Sequence, residues 1–389
     1  MLSVYREYGV VPKASRDDNF NKPSEDLSKY QRVSVGDLVV NKMKAWQGSL
    51  GISDHDGIVS PAYFVYKATG SFERRFAHYL LRSKEYADHM AAISSGIRPN
   101  QWDLDPAQFA VTPLLVPTAA EQRAIADYLD RETAQIDAFI AKNEELIALL
   151  TERRAAVISR VVSRGVKARA QLRWSGVEWA GEVPGEWQVG NIRRFASMRT
   201  GHTPSRQHPE YWVDCEIPWF TLADVWQLRQ GRREMGATNE RISVLGLENS
   251  AAELLPAGTV ALSRTASVGF SGIMRTAMAT SQDFWNWVPG GALASEYLWY
   301  QFQAMKPEFE RLMTGSTHRT IYQADAASFK ILVPPIDEQR EIVAQLDAAT
   351  ARMDEAVSAA RRGVELARER RAALISAAVT GKIDVGVAA

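Results

Sequence analysis

VPTAAEQRAIADYLDRETAQIDAFI, residues 116–140, returns at 333–357 as VPPIDEQREIVAQLDAATARMDEAV. At a constant shift of 217 residues the match runs without a gap to Val162, with 20 of 47 positions identical. The identities include Pro117/Pro334, Glu121/Glu338, Gln122/Gln339, Arg123/Arg340, Asp137/Asp354, and Glu152-Arg153-Arg154 against Glu369-Arg370-Arg371. Chance does not produce this; the segment is a duplication. Both copies read as helix: proline precedes the run, Glu lies in the first turn, and Ala, Leu, Glu and Arg dominate with no proline inside. Apolar residues recur three or four apart at Ile125, Leu129, Ile136, Ile140, Ile147, Leu150 and Val157. The second copy answers with Ile342, Leu346, Met353, Val357, Val364, Ala367 and Leu374. Some 45 residues make a rod of about 65 Å, too long for one globule to bury along a single narrow stripe. The partner it calls for is another stripe of the same kind, and its own copy is the nearest. Two unrelated helices, each packed on its own domain, would leave the shared sequence unexplained.

Each helix follows a longer mixed segment. GDLVVNKM from Gly36 and GTVALSRT from Gly258 read as strands. The apolar runs VSPAYFVY and TSQDFWNW come next, then the amphipathic stretches FERRFAHYLLRS from Phe72 and EYLWYQFQAM from Glu296. Glycine loops follow (SSGIRPNQW, MTGSTHRTI), and then an Asp-x-x-x-Phe step, Asp105/Phe109 and Asp325/Phe329. The order of parts is the same twice, at low identity. The chain therefore divides into an α+β domain at 1–115, a helix at 116–165, a second α+β domain at 166–332, and a second helix with its tail at 333–389.

Composition narrows the function. Lys plus Arg and Asp plus Glu both number 46 in 389 residues, which excludes a uniformly basic coat and an acidic disordered chain. One cysteine, Cys215, forms no internal disulfide and no Cys-rich zinc site. No stretch of about 18 apolar residues and no signal-like N-terminus is present, so a cytoplasmic protein is expected, with no membrane association. There is no GxxxxGK[ST], GxSxG, HExxH or post-strand GxGxxG, and neither an Asn/Asp-Pro-Pro-aromatic tetrad nor a close PD…ExK pattern. The six histidines lack metal-ligand spacing. A binding protein with no catalytic residues, no metal and no cofactor of its own is the expectation.

Neither domain is basic overall: residues 1–115 hold 14 Lys/Arg against 13 Asp/Glu, and 166–333 hold 17 against 16. A nucleic-acid face must then come from clustering in loops. The candidates in the first half are Lys42, Lys44, Trp46 and Gln47 at a strand end, and Arg98, Asn100 and Gln101 in the glycine loop. In the second half they are Arg264 and Thr265; Thr317, His318, Arg319 and Thr320; and a third patch of Arg199, His202, Thr203 and Arg206. Arg and Lys can pair with guanine O6/N7, Asn and Gln with adenine, Thr with phosphate or bases. Polar loops are also polar simply because they are solvated. Eleven tryptophans, nine of them between 174 and 299, read as core or sheet-face residues rather than base-stacking platforms. Arg153-Arg154 and Arg370-Arg371 read as solvated helix faces or partner contacts.

The doubled VP…EQRxIxxxLD…ID/MD…ERRxALIS pattern between variable domains resembles the specificity (S) subunit of type I restriction-modification systems. GDLVVNKMKAWQGSLG with GIVSPAY, and GHTPSRQHPEYW with IPWFTLAD, match further. The resemblance covers essentially the whole chain. It implies two target recognition domains separated by two long antiparallel, coiled-coil-like helices with an internal pseudo-twofold. It also implies double-stranded DNA read as a split site, two methyltransferase subunits docked on the helices, and restriction subunits joining that core. S-adenosylmethionine, ATP and magnesium then belong to those partners. A helical adaptor joining proteins without reading DNA is the alternative. About 90 residues lie between the first helix and Gly258, but only 35 precede Gly36. The starting methionine is therefore expected to be internal to a longer natural chain, with part of the first domain upstream.

Overall fold

The computed structural model describes residues 1–6, 8–15, 26–67, 72–96, 102–167, 171–313 and 320–386. Two long helices dominate, Ala119–Arg164 and Ile336–Val379. The chain forms two compact units, Met1–Leu146 with Ala359–Ala389, and Ile147–Ser358, so each unit owns one half of each long helix.

In the first unit the strand Leu38–Asn41 is flanked antiparallel by Leu50–Ile52 and Tyr63–Tyr66. Gly36 (φ 95°) opens that strand and Gly48 (φ 77°) closes the short turn behind it, both in backbone conformations that L side chains resist. Two helices follow, Arg74–Arg82 and Lys84–Ala92. Glu73 caps the first by accepting from the Phe76 N–H, 2.7 Å. Their inner faces bury Phe76, Leu80 and Met90 with Ile125, Ala126 and Leu129 of the first long helix and Ile375, Ala378 and Val379 of the second. A hairpin, Leu2–Tyr5 with Gly9–Pro12, packs Val4 and Val10 onto Val33, Val39 and Val59.

The second unit is built on the same three strands, extended. Val260–Ser263 lies between Ser271–Met274 and Phe284–Pro289, antiparallel to both. Ala196–Thr200 joins beyond Phe284–Pro289, and Glu234–Met235 beyond Ser271–Met274, giving five strands. The helices Ser295–Ala304 and Lys306–Met313 cover one face with Tyr297, Leu298, Phe302 and Phe309, in one core with Ile158, Val162, Ile342 and Leu346 of the long helices. The other face carries a second core around Phe220, Leu228, Met274 and Phe284.

The long helices run antiparallel within each unit. In the first, Arg371 pairs with Asp137 at 2.9 Å and Arg368 with Glu144 at 2.8 Å, one number rising as the other falls. In the second, Arg154 meets Asp354 at 2.8 Å. Asp137/Asp354 and Arg154/Arg371 are equivalent positions of the repeat, so the two bridges are the same bridge made twice. Arg154 and Arg371 are thus engaged across the helix pair, whereas the sequence reading left them to solvent or to partners. Between those arginines and the helix ends, Ile125, Leu129, Ile342 and Leu346 are buried and Ile136, Ile140, Ile147, Leu150, Met353 and Val357 are half-buried, as the apolar stripe predicts.

A second duplicated device joins domain to helix. Gln339 is fully buried; its Oε1 accepts from the Ala294 N–H at 2.8 Å, and its Nε2 donates to the carbonyls of Ala292 and Pro334, both 2.9 Å. Gln122, also buried, accepts from the Glu73 N–H at 2.9 Å and donates to the Pro117 carbonyl at 2.8 Å. In both units one amide thus ties the residue ahead of the domain's own helix to the Val-Pro entry of the long helix.

The Asp-x-x-x-Phe steps do not lead straight into the long helices. Asp105 caps a separate short helix, Pro106–Ala110, and Asp325 lies inside Gln323–Ser328. The approach also differs between units. Lys330–Val333 pairs antiparallel with Gln188–Asn191, burying Ile331, Leu332 and Val333. The corresponding Leu114, Leu115 and Val116 are exposed.

Replacing Gln339 by Leu removes three hydrogen bonds to backbone groups, of which the one to the Pro334 carbonyl is buried. It should lower the stability of the second unit by about 2–4 kcal/mol, measured by urea unfolding followed through the tryptophans at 174–299. Gln122→Leu, with two such bonds removed, should cost less.

Candidate nucleic-acid interface

Strand order brings the second-half candidates together. Ala196–Thr200 and Val260–Ser263 both run antiparallel to Phe284–Pro289, with Thr200 opposite Trp285 and Ser263 opposite Phe284. The loops leaving the first two strands therefore open on the same rim as the segment entering the third. His202 N–H donates to the Thr280 carbonyl (3.0 Å), and Thr203 Oγ1 donates to Gln282 Oε1 (2.7 Å). Arg264 N–H donates to the Asp283 carbonyl (2.9 Å), and Thr265 Oγ1 to Asp283 Oδ1 (2.7 Å). Ile321 N–H donates to the Arg264 carbonyl (3.0 Å), which brings Thr320 to the same rim. Gly201 is obligatory here: a Cβ would stand 2.1 Å from the Ser281 carbonyl oxygen.

The cations on this rim are held. Arg206 reaches Glu240 at 2.6 Å and lies 4.0 Å from the Trp212 ring centroid. Arg199 is 3.4 Å from Glu253. Arg264 is half-buried with its guanidinium 4.5 Å over Trp285, and its Nε is buried without a hydrogen-bond acceptor among the described residues. Stacking on an indole is a favourable place for a guanidinium, and it keeps the group flat against the sheet end.

The first unit repeats this geometry. Lys42 follows its strand as Arg264 follows the other, and its N–H donates to the Ala62 carbonyl at 3.0 Å. The Lys42 ammonium sits 4.5 Å over Phe64, the residue in the register position of Trp285. Leu104 N–H donates to the Lys42 carbonyl (3.0 Å), as Ile321 does to Arg264. The two halves thus place a cation over an aromatic ring at one and the same point of the sheet. Lys42 Nζ also donates to the Pro61 carbonyl (2.7 Å). Lys44 is exposed beside it. Trp46 and Gln47 are half-buried; Trp46 donates to the Met43 carbonyl (3.1 Å), and its ring centroid is 5.4 Å from that of Trp102.

Arg98, Asn100 and Gln101, and Thr317, His318 and Arg319, lie outside the described residues. Gln282 and Asp283 join the rim although the sequence reading had passed over them as part of an apolar run. Their polarity ahead of FWNW was the available signal. Trp187, Trp219, Trp285, Trp287 and Trp299 are buried. Among the described residues no group of three or more His, Cys, Asp or Glu could hold a metal ion, and no helix is long and apolar enough to cross a membrane.

What the chain resembles follows from this arrangement. Residues 184–358, the second domain with the start of its long helix, match the family described as type I restriction modification DNA specificity domain. The match covers a little under half of the chain. The type I restriction enzyme MjaIX specificity subunit of Methanocaldococcus jannaschii is 29% identical over 43% of this chain, and the match spans 38% of that relative's own length. The type I restriction enzyme StySPI specificity subunit of Salmonella potsdam is 22% identical over 84% of this chain and 70% of its own. A solved structure described as showing complex assembly and conformational transition of the type I R-M system superposes with a TM-score of 0.72. It covers 92% of this chain and 85% of that one at 18% identity, which establishes the shared fold. The α+β domains with long antiparallel helices are thus the fold of that solved structure.

Gly201→Ala should destabilise the second unit by about 3 kcal/mol through overpacking. Differential scanning calorimetry checks it, with Gly291→Ala, where a Cβ meets open space, as the neutral control.

Proposed function

We propose that the chain selects the DNA sequence on which a type I restriction-modification complex acts. Each unit reads one half of a bipartite duplex site through its sheet rim: Lys42, Lys44, Trp46 and Gln47 in the first, and Arg199, His202, Thr203, Arg206, Arg264, Thr265 and Thr320 in the second. The glycine loops bearing Arg98, Asn100 and Gln101, and Thr317, His318 and Arg319, belong to the same proposal. The long helices dock two methyltransferase subunits, and restriction subunits join that core. Methylation and cleavage are the partners' chemistry, as are S-adenosylmethionine, ATP and magnesium. The observation that carries this reading is the cation over an aromatic ring at the same register position in both halves. Two diverged domains keep one point of presentation while the loops around it differ. Arg and Lys at such points supply both guanine recognition and phosphate contact.

The test is footprinting of the chain purified with its methyltransferase partner. Protection of two stretches separated by an unprotected spacer is expected, with affinity falling steeply as salt rises. Arg264→Ala should weaken one stretch by about 1–3 kcal/mol if the arginine reads a base, with relaxed preference at one position. A loss uniform across sequences, with the salt slope smaller by about one, marks a phosphate contact instead. Lys42→Ala should act on the other stretch. Binding that is absent at every salt concentration after assembly would favour the helical adaptor.

A further inference from the structure

One more contact is made twice, and its long-helix residues are identical between the repeats. In the second unit Asp347 of the long helix accepts from the Tyr300 hydroxyl (2.6 Å) and pairs with Arg233 Nη1 (2.7 Å). In the first, Asp130 accepts from the Tyr79 hydroxyl (2.8 Å) and pairs with Arg75 Nη1 (2.7 Å). Asp130 and Asp347 are equivalent in the repeat, as are Thr133 and Thr350, which are both buried, with Thr133 Oγ1 3.2 Å from the Tyr79 hydroxyl. Tyr79 and Tyr300 occupy matching places in the helices Arg74–Arg82 and Ser295–Ala304. The arginines come from different elements. Arg75 sits in the helix itself, whereas Arg233 lies in the loop before Glu234–Met235, the edge strand of the five-stranded sheet. Two halves that share little sequence have each found an arginine for the same carboxylate.

Burial first, and then the bond to Asp347, pushes the Tyr300 phenol up to about 12, so it remains a donor under any working condition. A hydrogen bond and an ion pair on one carboxylate constrain direction as well as distance, which apolar contact alone does not. The Tyr300 helix packs under the strands that end at Arg264. A tilt of the domain on its long helix would carry the whole rim with it.

We infer that Asp130 and Asp347 are positioning residues, each gripped by a tyrosine and an arginine of its own domain so that the reading rim is presented to its half-site at one fixed angle. This deepens the function proposed above and rests on it. Loosening the grip in one unit then degrades reading of one half-site, and discrimination there falls along with affinity.

The experiment uses the full chain with its methyltransferase partner. Arg264→Ala first identifies the half-site read by the second unit. Asp347→Asn, and Tyr300→Phe, which removes only a hydroxyl, should weaken binding at that same half-site by about tenfold, the loss of one charge-assisted hydrogen bond. Both should also lower the preference for the cognate half-site over a singly mismatched one. Asp130→Asn and Tyr79→Phe should do the same to the other half-site, and the exchange Arg233→Asp with Asp347→Arg should restore part of the lost preference. Equal losses at both half-sites, or losses that follow the melting temperature with discrimination unchanged, would overturn the inference. A split footprint indifferent to all four single variants overturns this inference alone. A wild-type complex that protects no split site overturns the parent reading and this one with it.

Discussion

A glutamine amide taken out of water must find partners for every polar atom, and here the partners are backbone groups of a neighbouring element. Gln122 and Gln339 each sit where the Val-Pro entry of a long helix meets the residue ahead of a domain helix. A domain that shifted on its helix would leave the buried amide of its glutamine unpaired, at a cost of about 1–3 kcal/mol. Sequence identity between the halves follows from this constraint. The Gln of EQR and the LD…T positions are shared by both halves because they hold domain to helix. Rim side chains such as those of Lys44 and Arg206 differ between the halves, because they are exposed and no buried group depends on them.

The exposed ion pairs along the helices have a different role. Arg371 with Asp137 and Arg368 with Glu144 lie largely in solvent, where each such pair contributes at most about 1 kcal/mol. Stability comes from the cores at which helix and domain meet, Leu129 with Phe76 and Leu80 in one unit, and Leu346 with Tyr297 and Phe302 in the other. The bridges set register within each unit: Asp137–Arg371 in the first and Arg154–Asp354 in the second are one contact made at equivalent positions of the repeat.

The helices, the two α+β segments and the central strands were legible in the sequence because a repeat and a simple periodicity carry them. The rim was legible only in pieces. Arg264 and His202 are 62 residues apart, and only the antiparallel order of three strands sets them side by side. The identical Asp130/Asp347 and Thr133/Thr350 could be seen from the alignment of the repeats, but their role could not, since Arg75 and Arg233 approach from unrelated places in the chain. The strand Lys330–Val333 was hidden for a similar reason: its partner Gln188–Asn191 precedes it by more than a hundred residues. The reading of tryptophan as core holds in FWNW, where the sheet buries both indoles, but not at Trp174 and Trp226, which are exposed.

The cations of the rim already have company: Glu240 for Arg206, Glu253 for Arg199, an indole for Arg264, a phenyl ring and a carbonyl for Lys42. A neutral chain with its positive groups tied up in this way exerts little long-range pull on a polyanion. On the function proposed above, nucleic acid would have to displace carboxylates group by group, which succeeds only where enough contacts form at once. A surface of that kind would act as a threshold detector under the proposed function, indifferent to most duplex and adhesive only when a full set of complementary edges arrives together.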